Sequence, residues 1–347
     1  MTAARWSRRA PRLAERNFDR DEVLLSCNGH SRQYSINRKS LQTLMTKMAI
    51  PPRDHQTTLE KIVANSALDR SPKRLFGQVG DDFWFWLFTE GYRENRDRLD
   101  GLLPSMPDEN IQRRFTGAAG NETLTEAFSF YLLVRRLATT HLDRSVESVL
   151  DFGCGWGRAI RFFLRDIEPR NLWGIDCFPQ MIDLCKTTNV WSNFALVEPL
   201  PPTTFYNGTF DLVYAYSVFS HLSERAHLAW LHEFKRILRP GGLVVATTRP
   251  REFIQWCADL RANQDQQLWA KGPASSFTNT KEALARYDRG EFLYESVGGG
   301  DCLDPSFFGE TCIPRRYVEE NWTKLFTFVD YIDDRSACIQ NVILVRK

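Results

Sequence analysis

The chain has 347 residues, 43% of them hydrophobic and 13% aromatic, which is enough to bury a sizeable core and excludes a disordered polymer. Its 45 basic and 43 acidic residues leave a formal net charge of +2, so nothing draws it as a whole to a polyanion and nucleic acid is not an expected partner. At about 100–200 residues per domain, the length suggests two domains or one large domain with additions.

Residues 1–20 carry Arg5, Arg8, Arg9, Arg12 and Arg16 with little apolar content, and read as a flexible tail. An Arg-rich start is also found in organelle transit peptides, but Glu15 and Asp19 argue against one here. Residues 21–110 read as a helical accessory region, with helical spacing over Ser40–Met48 and Thr57–Ala67 and an aromatic packing surface at Phe83, Trp84, Phe85, Trp86 and Phe88. Leu103–Pro104–Ser105–Met106–Pro107 reads as a hinge, because two prolines discourage regular structure.

From 111 onward the pattern changes to alternation. A long helix is predicted over Leu124–Leu137, then strands at 146–151, 172–176, 194–198, 210–216 and 243–247, separated by helices at 158–164, 179–185 and 224–238. Arg239–Pro240–Gly241–Gly242 stops the last of these helices. Two further strands, 326–331 and 337–345, read as a terminal hairpin. The expected fold is therefore α/β, a doubly wound and mostly parallel seven-stranded sheet with a C-terminal antiparallel hairpin and a mainly helical N-terminal extension.

The stretch from about 249 to 322 is longer than a connection requires and reads as a lid-like insertion or as an ordinary packed one. Its mixture of Arg249, Arg251, Trp256, Tyr287, Tyr294, Gly298–Gly300, Asp301, Phe308 and Glu310 would suit a sugar or another polyhydroxylated acceptor. None of the eight cysteines forms a C-x-x-C pair, no compact His/Asp/Glu ligand set suggests a metal, and no signal-peptide pattern or apolar run of membrane length is present. A cytoplasmic protein without membrane insertion, with reduced thiols and no metal, is the expectation; the oligomeric state is not legible.

The most informative segment is Val149–Leu150–Asp151–Phe152–Gly153–Cys154–Gly155–Trp156–Gly157–Arg158, a strand ending in an acid, a turn with glycine at alternate positions, and a helix start. Dinucleotide sites want G-x-G-x-x-G, but here Arg158 stands at the third glycine's place, and Asp151 is awkward beside a pyrophosphate and better suited to an amine. Asp176, at the end of the second strand, is placed to accept hydrogen bonds from both ribose hydroxyls of an adenosine.

On these residues the chain resembles the class I, Rossmann-like S-adenosylmethionine-dependent methyltransferases over about residues 111–347. Phe210–Leu222 looks like their fourth strand and following loop, and Leu238–Leu243 like the entry to their fifth. The resemblance implies S-adenosylmethionine as cofactor. Its methionine half would lie on Asp151, Phe152, Gly153, Cys154, Gly155 and Gly157, its ribose on Asp176 with Cys177 beside it, and its adenine near Glu198. Of Tyr214 and Tyr216, which alternate along the fourth strand, the one facing the cofactor, Tyr216 being the candidate, would line the methyl pocket and the other would be core. An arginine of Arg113–Arg114–Phe115–Thr116–Gly117 could close over the cofactor carboxylate.

Methyl transfer from a sulfonium needs mainly placement, plus a base where the acceptor is a hydroxyl. His221, behind the fourth strand, is the candidate catalytic base, with a packing role as its alternative. The expected function is methyl transfer to a small-molecule or glycan acceptor, at oxygen. A non-catalytic cofactor-binding scaffold is the second reading and a nicotinamide oxidoreductase the third.

Overall fold

The computed structural model describes residues 52–67, 69–263, 271–299 and 302–347. The expected tail and the Ser40–Met48 helix lie outside these residues, as do Gly300 and Asp301.

Seven strands form the central sheet: β1 (Val149–Phe152), β2 (Leu172–Asp176), β3 (Asn193–Leu196), β4 (Phe210–Ala215), β5 (Leu238–Thr248) and, after a small separate hairpin of β6 (Leu293–Glu295) and β7 (Glu310–Cys312), β8 (Thr327–Ile332) and β9 (Asn341–Arg346). Their order is β3-β2-β1-β4-β5-β9-β8. β1 to β5 pair in parallel, while β9 runs antiparallel to both β5 and β8. β1 and β4 are buried along their whole length, as strands covered on both faces must be. Asp211, at the start of β4, ties this centre together by accepting from the Glu147 and Ser148 amides and from Arg144 and Arg239.

Several boundaries differ from the sequence reading. The helix expected at 158–164 is a 3-10 segment, Ile160–Arg165, all six residues of which are buried. It lacks the solvent face of an amphipathic helix because the N-terminal helices cover it. Its two arginines reach main-chain carbonyls: Arg161 donates to Gly157 and Ser105, and Arg165 to Val79. β3 ends at Leu196, so Glu198 follows the strand instead of closing it. The Glu224–Ile237 helix gives way to β5 at once: Leu238 pairs with Phe210, and pairing resumes at Leu243 with Leu212 after an irregularity.

The helices at Pro52–Asn65, Asp81–Phe88 and Asn121–His141 share one hydrophobic core with the sheet. Trp84 Nε1 donates to the Phe162 carbonyl, and Phe88 and Phe128 meet the Phe162 ring edge-on at 5.0 Å. Leu103–Pro107 is irregular, as its prolines require, but Leu102, Leu103 and Pro104 are buried and the Ser105 amide donates to the Thr188 carbonyl, so the segment is a packed strap. Within 249–322, the Glu252–Ala262 and Thr280–Asp288 helices and the β6–β7 hairpin enclose a second, small core around Phe253, Ile254, Trp256, Phe277 and Leu293.

Candidate active site

The turn after β1 holds three glycines at φ 70°, 52° and 76°, the left-handed region that side chains avoid. Gly153 has no room for a side chain, since a Cβ would lie 2.3 Å from Val218 Cγ2. Gly157 faces the Pro179–Thr188 helix, where a Cβ would meet Cys185 Sγ at 3.3 Å. A Cβ on Gly155 would meet nothing within 4 Å, because that residue opens onto a cavity.

Nine of the residues singled out in the sequence line this one cavity: Phe152, Gly153, Cys154, Gly155, Asp176, Cys177, Glu198, Tyr216 and His221. Asp176 closes its β2 end. Its Oδ2 accepts from the Gly155 amide at 2.8 Å and its Oδ1 from the Phe178 amide at 2.9 Å. Burial raises the carboxyl above its ordinary range, and these amides pull it back. Each oxygen keeps further lone-pair capacity toward the cavity, which is what two vicinal hydroxyls would require.

Asp151 and Gly157 are not on the cavity wall. Asp151 is 2% exposed and lies beneath the turn, in register with Tyr214 on β4. Its Oδ2 and the Tyr214 hydroxyl are both buried without a hydrogen bond of good geometry. Burial pushes the Asp151 carboxyl up to about 7, with the adjacent Tyr214 hydroxyl drawing it down. A folded-state value above the unfolded one means that folding favours the protonated form. This contribution is fully present below about pH 4 and lost as the pH rises through about 7. Asp151→Asn, neutral throughout, should remove this decline in the unliganded protein. Urea unfolding at pH 5 and pH 8 checks it: the variant should gain a few kcal/mol on the wild type between the two.

On the β4 side, Tyr216 stacks on Phe130 at 4.3 Å and 10° between planes, and the Arg158 guanidinium lies 4.7 Å from the centre of its ring. Ser217 follows in a left-handed conformation, φ 62°, its amide held by Thr247 Oγ1 and its hydroxyl by Gln340 Nε2.

His221 follows β4 and lines the cavity, but its ring is engaged on both sides. Nδ1 donates to the Gly309 carbonyl at 2.8 Å, and Nε2 accepts from Arg249 at 3.3 Å. Phe308 stacks on the ring at 4.7 Å, and Arg249 is held in turn by Glu310 at 3.1 Å. A proton arriving at Nε2 would have to displace the Arg249 N–H, so this geometry suits positioning better than proton transfer.

Of the insertion, Arg249, Pro250, Leu303, Phe307 and Phe308 reach the cavity, whereas Arg251, Trp256, Tyr287 and Tyr294 do not. Trp256 packs in the second core, Arg251 pairs with Asp288, and Tyr294 donates to the Pro305 carbonyl. The 307–311 segment is docked along 220–223 by Ser223 N–H to Phe307 O, Gly309 N–H to His221 O and Thr311 N–H to Ser220 O. From the Arg113–Gly117 segment it is Phe115 and Thr116 that line the cavity; Arg113 pairs with Glu109 instead. The sequence reading missed Glu126, Trp230, Ile339 and Gln340. Only Glu126, an acid at the apolar-facing side of a predicted helix, carried a local signal.

The sheet order with its reversed last strand, the glycine turn after β1 and the carboxylate at the end of β2 are the arrangement expected from the resemblance to class I, Rossmann-like S-adenosylmethionine-dependent methyltransferases. Residues 149–242 match the family described as a methyltransferase domain. Phthiotriol/phenolphthiotriol dimycocerosates methyltransferase 1 of Mycobacterium ulcerans is 32% identical over 195 residues, covering 54% of this chain and 66% of that protein. Phthiotriol/phenolphthiotriol dimycocerosates methyltransferase of Mycobacterium leprae is 30% identical over 138 residues, 37% of this chain and 48% of that one. The chain thus spans just under two thirds of the first relative and about half of the second. Among solved structures, the N-methyltransferase NodS of Bradyrhizobium japonicum WM9 in complex with S-adenosyl-L-homocysteine is similar over 63% of this chain and 86% of that one, with 17% identity and a TM-score of 0.38.

Proposed function

We propose that this chain, acting in the cytoplasm, transfers the methyl group of S-adenosylmethionine to a hydroxyl oxygen of a small-molecule or glycan acceptor by in-line displacement. The observation that carries the reading is Asp176, whose two oxygens are fixed by separate backbone amides at the rim of a cavity onto which Gly155 opens. The bound cofactor supplies an activated methyl group, so the protein's task is placement. Asp176 would hold the ribose, and Cys177 and Glu198 would flank the adenine. Phe152, Gly153, Cys154 and Gly155 would seat the methionine half, with Asp151 beneath them and Gly157 shaping the turn. Tyr216 would border the methyl group. The names of the two relatives give phthiotriol and phenolphthiotriol dimycocerosates, alcohol-derived compounds, which supports oxygen as the methylated atom.

His221 is assigned a positioning role, holding Arg249 and the Phe308 ring against the cavity. His221→Ala should lower turnover about tenfold while leaving cofactor affinity nearly intact, as read by steady-state kinetics beside calorimetry. Full retained activity would make the residue structural.

Titration calorimetry with S-adenosylhomocysteine, followed by transfer of radiolabelled methyl to panels of alcohols and sugars, tests the whole reading. Absence of binding would overturn it. Binding with no transfer to any acceptor would favour the non-catalytic scaffold, a reading supported by the engagement of both His221 nitrogens.

A further inference from the structure

The cavity has two ends. At one, Glu198, Pro199 and Phe307 also border a shallower cavity that includes Arg225, Cys302 and Asp304. At the other, Glu126, Tyr216 and Ile339 also border a groove running between the Asn121–His141 helix and the connection from β8 to β9. A nucleoside held at Asp176 and continuing toward Glu198 would occupy the first end. The second end, past Tyr216, is the one left for an acceptor.

We propose that this groove admits the acceptor, a hydroxyl-bearing molecule with an apolar body, and that the Glu126 carboxylate receives the hydroxyl proton. The proposal rests on the methyl-transfer reading above and narrows its acceptor from glycan to apolar alcohol. Phe130, Leu133, Ala337 and Cys338 give the groove an apolar wall; of its polar groups Arg136, Thr139, Thr140, Asp334 and Ser336 are exposed, while Asp81, Ser129, Arg135 and Arg335 are half-buried. Phe130 lies flat against Tyr216, so the apolar surface continues to the junction with the cofactor cavity. Among the described residues the one carboxylate there is Glu126, 8% exposed, with Arg158 at 3.2 Å from its Oε2. Arg158 is fixed over the Tyr216 ring and cannot drift from the junction without losing both contacts.

The charged and titratable groups facing Glu126 are Arg158 from the turn after β1, Glu122 on its own helix, Tyr216 from β4 and Cys338 from the β8–β9 connection. Burial raises the carboxyl above its ordinary range, and Arg158 opposes this. A carboxylate held so accepts a proton more readily than an exposed one. In the transfer, a hydroxyl lone pair forms the C–O bond and the C–S pair passes to sulfur, leaving a neutral thioether. The hydroxyl proton moves to Glu126, which returns it to water through the groove.

The test uses the full chain, S-adenosylhomocysteine, and two probes: dodecanol and methyl glucoside. Dodecanol should bind the S-adenosylhomocysteine-loaded protein and methyl glucoside should not. Ala337→Trp, which fills the groove away from the cofactor cavity, should weaken dodecanol binding about tenfold or more with S-adenosylhomocysteine affinity unchanged. Glu126→Gln should slow dodecanol methylation about a hundredfold and abolish the rise of rate with pH, with dodecanol affinity retained. Dodecanol failing to bind, dodecanol displacing S-adenosylhomocysteine, preference for methyl glucoside, or wild-type behaviour in either variant would overturn the proposal. Failure of S-adenosylhomocysteine itself to bind would instead overturn the cofactor reading on which it rests.

Discussion

Asp176→Ala should weaken S-adenosylhomocysteine binding about a hundredfold or more, measured by calorimetry at neutral pH. The carboxylate would lose two charge-assisted hydrogen bonds to the ribose, each worth about 1.5–3 kcal/mol. It would also release the Gly155 and Phe178 amides that it now holds at 2.8 and 2.9 Å, loosening the turn that must be in place before the ligand arrives. Asp176→Asn separates the two contributions. The amide has one acceptor oxygen where the carboxylate has two, so it can keep one of these backbone bonds while its NH2 faces a donor. Asn should therefore recover only part of the affinity. Equal affinity of wild type and Ala variant would remove Asp176 from the cofactor site.

Glu310→Ala should be the most destabilising single change at the site, costing about 3–5 kcal/mol. Arg249 and Glu310 are 2% and 3% exposed, and Glu310 Oε2 accepts from both Nε and Nη2 of Arg249. Removing the acid leaves a guanidinium buried without its counter-charge, pressed between the Phe253 ring at 4.5 Å and the His221 imidazole. A fall in Tm on the order of 10 °C is expected in calorimetric melting. The double variant Arg249→Met, Glu310→Leu should recover most of that loss, because a pair of similar-sized apolar side chains carries no desolvation penalty. If Glu310→Ala melts with the wild type, the pair is solvated in solution and His221 is not held as described.

The part of the site legible in the sequence is the part made by neighbours along the chain. Asp151 to Gly157 and Asp176 are strand ends and the turn that follows, and a strand's end sits at the same edge of a parallel sheet wherever the strand lies. Composition told less about the insertion. Its aromatic and polar residues read as a ligand face, yet Trp256 and Tyr294 serve local packing, while Leu303, Phe307 and Phe308 reach the cavity. An aromatic side chain has the same signature in a core as in a cleft. His221 shows the limit within a single residue: its place behind β4 was readable, but its partners Arg249 and Gly309 lie 28 and 88 residues away in the chain.

The strand–helix alternation, the glycine turn and the acid at the end of β2 were determined by the sequence alone, because each depends on local backbone preference and on the two periodicities of strand and helix. Tertiary structure decided the rest. It withdrew Asp151 beneath the turn, engaged both His221 nitrogens, and made Ile160–Arg165 a fully buried 3-10 segment by laying the N-terminal helices over it. It also brought Glu126, Arg158, Tyr216 and Ile339 from four separate parts of the chain to one junction. Such contacts are selected by shape and desolvation across the folded core, and neither leaves a period or a spacing in the sequence.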